Sequence, residues 1–167
     1  MIIILMGVSG SGKTTVGQAL ASRHNCTFID ADDHHPPANI ARMRRGEPLT
    51  DADRYPWLDN LNAQLRQAHA VSQPTVLACS ALRQAYRDRL ARELPPAALR
   101  WVFLQVSPQR IQQRMSQRAD HFMPPSLMQS QFDALESPQA SDDTIVIDAD
   151  QPVADVLAAV ESSLGLL

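Results

Sequence analysis

A chain of 167 residues has the length of one domain, and its 44% apolar and 20% charged residues are typical of a globular protein with a buried core. The net charge of −3 argues against a general nucleic-acid binder. A membrane-spanning helix needs about 18 consecutive apolar residues, and no stretch approaches that length. Two distant cysteines favour neither a disulfide framework nor a metal site, which fits a reduced, cytoplasmic setting.

Short apolar runs alternate with segments of helical periodicity along the chain, which predicts βαβ units in a single three-layer α/β/α domain spanning residues 1–167. Strands are predicted at residues 2–6, 27–29, 75–79, 100–106 and 144–147. Helices are predicted at residues 13–22, 37–45, 83–93, 107–118, 126–135 and 153–164, with a further helix beginning at Thr50. Cys79, Trp57 and Trp101 are expected in the core.

The segment Gly7-Val8-Ser9-Gly10-Ser11-Gly12-Lys13-Thr14 matches the phosphate-binding pattern G-x-x-x-x-G-K-[ST] in full, directly after an apolar strand. Glycines let backbone N–H groups turn toward phosphates, Lys13 reaches the β- and γ-phosphates, and the Thr14 hydroxyl ligates Mg²⁺. Lys13 is the only lysine among fifteen basic residues. The nucleotide contacts predicted in this loop are Gly7, Ser9, Gly10, Ser11, Gly12, Lys13, Thr14 and Thr15.

Three aspartates follow the second predicted strand, in Asp30-Ala31-Asp32-Asp33-His34-His35-Pro36. Carboxylates at the carboxyl end of a parallel strand are placed to hold Mg²⁺, to accept hydrogen bonds from substrate hydroxyls or to take a proton from the attacking hydroxyl. The alternative is a solvated turn, since aspartate is common in turns. We favour Asp30 for the metal shell and Asp32 for substrate contact, with either able to act as the base.

The ordered set of motifs resembles the gluconate kinases over essentially the whole chain. It comprises residues 7–14 and 30–36, then Asn39, Met43, Gly46, Pro48-Leu49, Asp51, Asp53-Arg54, Pro56-Trp57-Leu58, Cys79-Ser80-Ala81-Leu82-Arg83, Tyr86-Arg87, Arg114, Arg118, His121-Phe122-Met123, Gln131-Phe132, Leu135-Glu136, Asp148 and Asp150-Gln151-Pro152. The resemblance implies an adenylate-kinase-like fold with a five-stranded parallel sheet, dependence on ATP and Mg²⁺, a homodimer, and conversion of D-gluconate to 6-phosphogluconate.

Arginines at positions 110, 114 and 118 share one face of a predicted helix that leads into an interruption at 120–125. Such a basic helix is typical of a lid that closes over the triphosphate, here about residues 114–127, and the alternative is a solvated charged face. With the family resemblance we assign Arg114 and Arg118 to ATP. Gln151 and Pro152 are expected to border the adenine.

A sugar acid needs a cation for its carboxylate, and arginine forks match carboxylates in a bidentate manner. Arg54 and Arg83 are the candidates, with Arg87 behind them, and Asp32 and His35 are candidates for the hydroxyl groups. Ser80, which follows the third strand, and His121 complete the predicted substrate set.

Two other functions remain possible from the sequence. A shikimate-type or nucleotide kinase is the nearer one, although a shikimate-type enzyme is expected to show a glycine-rich run where this chain has Cys79-Ser80-Ala81-Leu82. A nucleotide-dependent switch without a small substrate is the other, but a chain with one lysine at position 13 has no N-K-x-D guanine motif.

Overall fold

Strands and helices alternate as predicted in the computed structural model of the protein, which describes residues 1–117, 125–141 and 143–166. The strands are β1 (Ile2–Met6), β2 (Thr27–Asp30), β3 (Thr75–Ala78), β4 (Leu99–Gln105) and β5 (Thr144–Asp148). The helices are α1 (Lys13–Arg23), α2 (Pro37–Arg44), α3 (Asp51–Ala70), α4 (Gln84–Ala91), α5 (Pro108–Ser116), α6 (Pro125–Ala134) and α7 (Val153–Ser163). The ends of these strands and helices differ from the predicted ones by at most two residues.

The strands form one five-stranded parallel sheet in the order β2-β3-β1-β4-β5, which confirms the expected three-layer fold. Ile2 of β1 pairs with Thr75 on one side and Leu99 on the other, so β1 is the central strand. Every residue of β1 is buried, and a strand covered on both faces needs apolar side chains at every position rather than at alternate ones.

Alternate residues of β1 feed two separate cores. Ile2 and Ile4 pack toward α3 and α4, whereas Ile3 and Leu5 pack toward α1 and α7. Cys79 is 1% exposed and joins the first of these cores, as do Trp57 and Trp101, so the three residues are in the core as predicted. No helix within the described ranges is both long and apolar enough to cross a membrane.

The beginning of α3 is fixed by a reciprocal cap. The Thr50 hydroxyl oxygen accepts a hydrogen bond from the Asp53 backbone N–H, and the Asp53 carboxylate accepts one from the Thr50 backbone N–H at 2.8 Å. The two bonds satisfy amide groups that a helix start leaves free. They also fix the first turn of α3, which carries Asp53 and Arg54.

Candidate active site

A cavity of about 290 Å³ opens at the carboxyl edge of the sheet, between the loop after β1, the acidic segment after β2, the first turns of α3, and α6. It will be called the edge cavity. Its lining includes six of the residues predicted from sequence, namely Ser9, Lys13, Asp32, His35, Arg54 and Ser80. The structure therefore brings phosphate-loop and substrate candidates from four separate segments into one site.

The loop after β1 has the curved form that phosphate binding requires. Gly7 has φ +145°, and a Cβ atom there would lie 2.8 Å from the Leu104 carbonyl oxygen, so only glycine fits. Gly12 caps α1 at φ 101°, also a left-handed conformation. The Lys13 ammonium donates hydrogen bonds to the carbonyl oxygens of Gly7 at 3.1 Å and Val8 at 3.0 Å. Because α1 begins at Lys13, its positive end faces the site.

Lys13 and Asp32 influence one another electrostatically. Burial lowers the pKa of the Lys13 ammonium below its usual value, and the Asp32 carboxylate opposes that shift. Burial raises the pKa of Asp32, and Lys13 in turn opposes the rise. Asp32 is an exposed residue by its accessible area. Its side chain nevertheless lines the edge cavity, where the surrounding protein atoms displace part of its hydration shell. A carboxylate with a raised pKa suits the binding or removal of a hydroxyl proton.

Thr14 and Asp30 place two oxygen donors side by side. The Thr14 hydroxyl donates to Asp30 Oδ2 at 2.8 Å, and Asp30 Oδ1 accepts from the Asp32 backbone N–H at 3.0 Å. A hydroxyl and a carboxylate are the hard oxygen ligands that Mg²⁺ prefers in phosphate sites. The pair therefore fits the magnesium role predicted for Thr14 and Asp30. Thr15, the next residue, is an exposed residue of α1.

Two further features of the phosphate loop emerge only from the structure. The Ser11 side chain is 2% exposed, and its Oγ has no hydrogen-bond partner within residues 1–117, 125–141 and 143–166. The Ser9 backbone N–H donates to Oε1 of Gln131 on α6 at 2.9 Å. Gln131 also lines the edge cavity, although no role was predicted for it. Its only signal in the sequence was the family resemblance, because a contact across 122 positions leaves no local pattern.

Arg114 on α5 joins the phosphate loop to the loop that follows β5. Its guanidinium donates to the carbonyl oxygens of Gly10 at 3.2 Å, Ser11 at 3.3 Å and Ala149 at 2.6 Å. It also lies 3.4 Å from the Gln151 carbonyl oxygen, and Pro152, one residue on, caps α7. The predicted ATP residues Arg114, Gln151 and Pro152 thus meet beside the loop. The predictions for Arg118, for His121 and for half of the lid, residues 118–124, lie outside the described residues.

On the opposite side of the edge cavity, His35 is held against an aromatic ring. Its imidazole stacks on Trp57 with centroids 4.0 Å apart and an interplanar angle of 19°. The Trp57 indole N–H donates to the Ala31 carbonyl oxygen at 2.8 Å, so a core residue also builds the site. Burial, with a smaller contribution from the Arg54 charge, lowers the pKa of His35 to about 4. His35 is therefore neutral at neutral pH.

The structure separates the two leading arginine candidates. Arg54 lines the edge cavity, lies 5.4 Å from the Tyr86 ring centroid, and has a buried Nε with no hydrogen-bond partner within the described ranges. Arg83 does not line that cavity; it is exposed, 3.9 Å from Asp51 and 6.0 Å from the same ring. The geometry therefore favours Arg54 over Arg83 as the group that meets a substrate carboxylate.

Arg87 corrects the sequence-based assignment. Its side chain does not line the edge cavity, and the residue is only 6% exposed. Its guanidinium donates to the carbonyl oxygens of Ala81 at 3.0 Å, Leu82 at 3.2 Å and Glu136 at 3.0 Å, and to Oε1 of Gln84 at 3.0 Å. Its donors are thus already used inside the protein. Arg87 ties α4 to the segment after α6 rather than meeting the substrate.

Comparisons with known proteins show the family of the chain. A family model described as an AAA domain matches residues 2–138. The chain is 43% identical over 178 aligned positions to a probable gluconokinase of Mus musculus, covering 98% of this chain and 97% of the relative. It is 45% identical over 154 positions to the thermosensitive gluconokinase of Escherichia coli strain K12, covering 92% and 81%. A crystal structure of a gluconokinase from Sinorhizobium meliloti 1021 superposes with a TM-score of 0.84 at 42% identity, covering 98% of this chain and 94% of that one. The chain therefore belongs to the gluconokinase family of P-loop kinases.

Proposed function

We propose that this protein transfers the γ-phosphoryl group of ATP to the 6-hydroxyl of D-gluconate, giving ADP and 6-phospho-D-gluconate. The observation that carries the proposal is the edge cavity itself, where a phosphate-loop lysine and an acidic strand end face a partly buried guanidinium. The gluconokinase relatives over nearly the full length support the same substrate.

The charges along the cavity give the acceptor a direction. Asp32 and Lys13 interact electrostatically beside the phosphate loop, whereas His35 stacks on Trp57 of α3, the helix that also carries Arg54. Gluconate has its 6-hydroxyl at one end and its carboxylate at the other. The hydroxyl therefore lies beside Asp32 and the carboxylate beside Arg54, which matches the polarity of the site.

Each residue then has a task in the transfer. Asp32 orients the 6-hydroxyl and accepts its proton as the oxygen attacks the γ-phosphorus and the bond to the β–γ bridging oxygen breaks, releasing ADP. Lys13 stabilises the negative charge that the transferred group carries in the transition state. Thr14 and Asp30 would hold Mg²⁺, which neutralises phosphate charge when it is bound.

Five finer elements belong to the proposal. Arg114 and Arg118 contribute to binding the triphosphate, and a lid of about residues 114–127 closes over it. Gln151 and Pro152 border the adenine. The enzyme is cytoplasmic, and it acts as a homodimer, which sedimentation at several protein concentrations tests.

A panel assay of ADP release tests the proposed activity. Gluconate, glucose, shikimate and AMP are compared at equal concentration with ATP and Mg²⁺, and ³¹P NMR locates the phosphate on the product. We expect a clear preference for gluconate over glucose, because a site built to bind a carboxylate is left unpaired by an analogue without one. Preference for shikimate or AMP would overturn the proposal, and equal activity on glucose would remove the carboxylate site.

A further inference from the structure

Two hydrogen bonds through the buried Asn39 side chain connect the first turn of α3 to His35. The Asp53 backbone carbonyl has only lone pairs to offer, so the group facing it must donate. That group is Nδ2 of Asn39 on α2, at 3.0 Å. The side-chain amide of Asn39 is therefore oriented with its NH₂ group toward α3 and its oxygen away from it. Asn39 is 4% exposed, and this bond is partly buried.

The same NH₂ group lies 3.3 Å from Nδ1 of His35. Because an amide nitrogen donates and does not accept, Nδ1 must present its lone pair. In a neutral imidazole the proton then resides on Nε2, the other ring nitrogen. The polarity of the Asp53 carbonyl thus passes through Asn39 and fixes which nitrogen of His35 is a donor. The Trp57 stack holds the plane of the ring in which this donor lies.

The charged groups around His35 come from three directions. Arg54 approaches from α3, Asp32 and Lys13 line the cavity on the phosphate-loop side, and Glu47 lines it from the segment after α2. Burial and the Arg54 guanidinium both disfavour a second proton on the ring. His35 therefore remains a neutral single donor, next to Arg54, whose Nε has no partner within the described residues.

We propose that Asn39 is a positioning residue that locks His35 as the Nε2–H tautomer, and that His35 and Arg54 together form a donor-only subsite for the carboxylate end of the acceptor. This inference rests on the proposed function. A carboxylate presents lone pairs to both donors, so it is accepted. An ammonium group at the same end of the acceptor presents only hydrogens and a positive charge, so it is rejected.

Asn39→Asp reverses the hydrogen-bond polarity, because a carboxylate accepts from Nδ1–H and leaves Nε2 as a lone pair in the neutral ring. We expect the KM for gluconate at pH 8 to rise roughly tenfold to a hundredfold, the loss of one hydrogen bond to a charged group, with little change in the KM for ATP. The new carboxylate also raises the pKa of His35. An opposite charge at this distance raises a pKa by about 1–3, starting here from about 4. Lowering the pH from 8 to 6 therefore adds the second proton in a fraction of the molecules, restores Nε2–H there, and lowers the KM for gluconate.

Asn62→Asp is the matched control. Asn62 is also a buried asparagine, 1% exposed, and it donates to the carbonyl oxygens of Leu90 and Arg92 at 2.8 Å, away from the edge cavity. We expect it to lower stability as Asn39→Asp does, without a pH-dependent KM for gluconate. The inference is contradicted if the KM of Asn39→Asp for gluconate at pH 8 equals that of the wild type. It is also contradicted if this KM does not fall between pH 8 and pH 6 when it is compared with the KM of the wild type and that of Asn62→Asp.

The tautomer of His35 can also be measured directly in the wild-type protein, so the test does not depend on Asn39→Asp folding. Long-range ¹H–¹⁵N spectra of the histidine-labelled wild type, with His35→Gln to assign the signal, report the tautomer and its titration. We expect neutral Nε2–H at pH 7 and no titration above about pH 5. An Nδ1–H tautomer, or a midpoint near the ordinary histidine value, overturns the inference, whereas loss of the proposed function would show separately as no gluconate-dependent ADP release by the wild type.

Discussion

Replacing Arg87 by leucine should damage stability and leave substrate recognition intact. The substitution removes a donor from three backbone carbonyls, those of Ala81, Leu82 and Glu136. The Leu82 carbonyl oxygen still accepts from the Glu136 backbone N–H at 2.8 Å, so the carbonyls of Ala81 and Glu136 carry the cost. A buried acceptor left without a partner costs about 1–3 kcal/mol. A neighbouring cavity of about 440 Å³, which Arg87 lines, lets water reach part of this cluster, so the low end of that range applies. We therefore expect a loss of about 2–4 kcal/mol in the free energy of unfolding.

Urea unfolding followed by tryptophan fluorescence measures this loss, and thermal unfolding should show a midpoint lowered by about 10 °C for a domain of this size. The control is Arg83→Leu, which removes a guanidinium from the exposed end of the same helix and should change stability by less than about 0.5 kcal/mol. The reasoning is refuted if Arg87→Leu is as stable as the wild type while its KM for gluconate rises tenfold or more. That result would restore Arg87 as a substrate contact.

Three further predictions concern the phosphate loop and its support. Lys13→Ala should reduce turnover by a factor of roughly 10² or more. Lys13→Arg should not restore turnover, because a guanidinium does not replace a compact ammonium. Near-normal turnover in a folded variant would remove Lys13 from the mechanism. Thr14→Val removes the hydroxyl beside Asp30 and should raise the Mg²⁺ concentration needed for half-maximal activity, with an unchanged Mg²⁺ titration as the contrary result. Gly17→Ala places a Cβ atom 2.6 Å from Phe28 Cε2, so denaturant unfolding should show a loss of about 1–3 kcal/mol, and unaltered stability would mean that Phe28 moves aside freely.

The parts of the site that could be predicted from sequence are those encoded by consecutive residues. The phosphate loop is one short segment after an apolar strand. The position of the aspartates after β2 was predicted from the rule that ligands of such sheets bind at the carboxyl ends of the strands. Both predictions needed only the order of the residues. The edge cavity confirms that Lys13 and Asp32 lie together.

The arginines could not be sorted in this way, because their roles depend on how a helix is rotated against its neighbours. Arg83 precedes α4 and is exposed, whereas Arg87, one turn later, faces inward to carbonyl groups that include Glu136, 49 positions away. Nothing local distinguishes the two. The same holds for Asn39, whose partner on α3 lies 14 positions further along the chain.

A backbone hydrogen bond joins the phosphate loop to the segment after β3: the Gly7 N–H donates to the Ser80 carbonyl oxygen at 3.2 Å. Ser80 lines the edge cavity, so any shift of this residue on acceptor binding would also move an amide of the nucleotide loop. The two ligands are then thermodynamically linked. Whatever factor gluconate applies to the dissociation constant of ATP, ATP must apply to that of gluconate, and the order in which they bind leaves the free energy of the ternary complex unchanged.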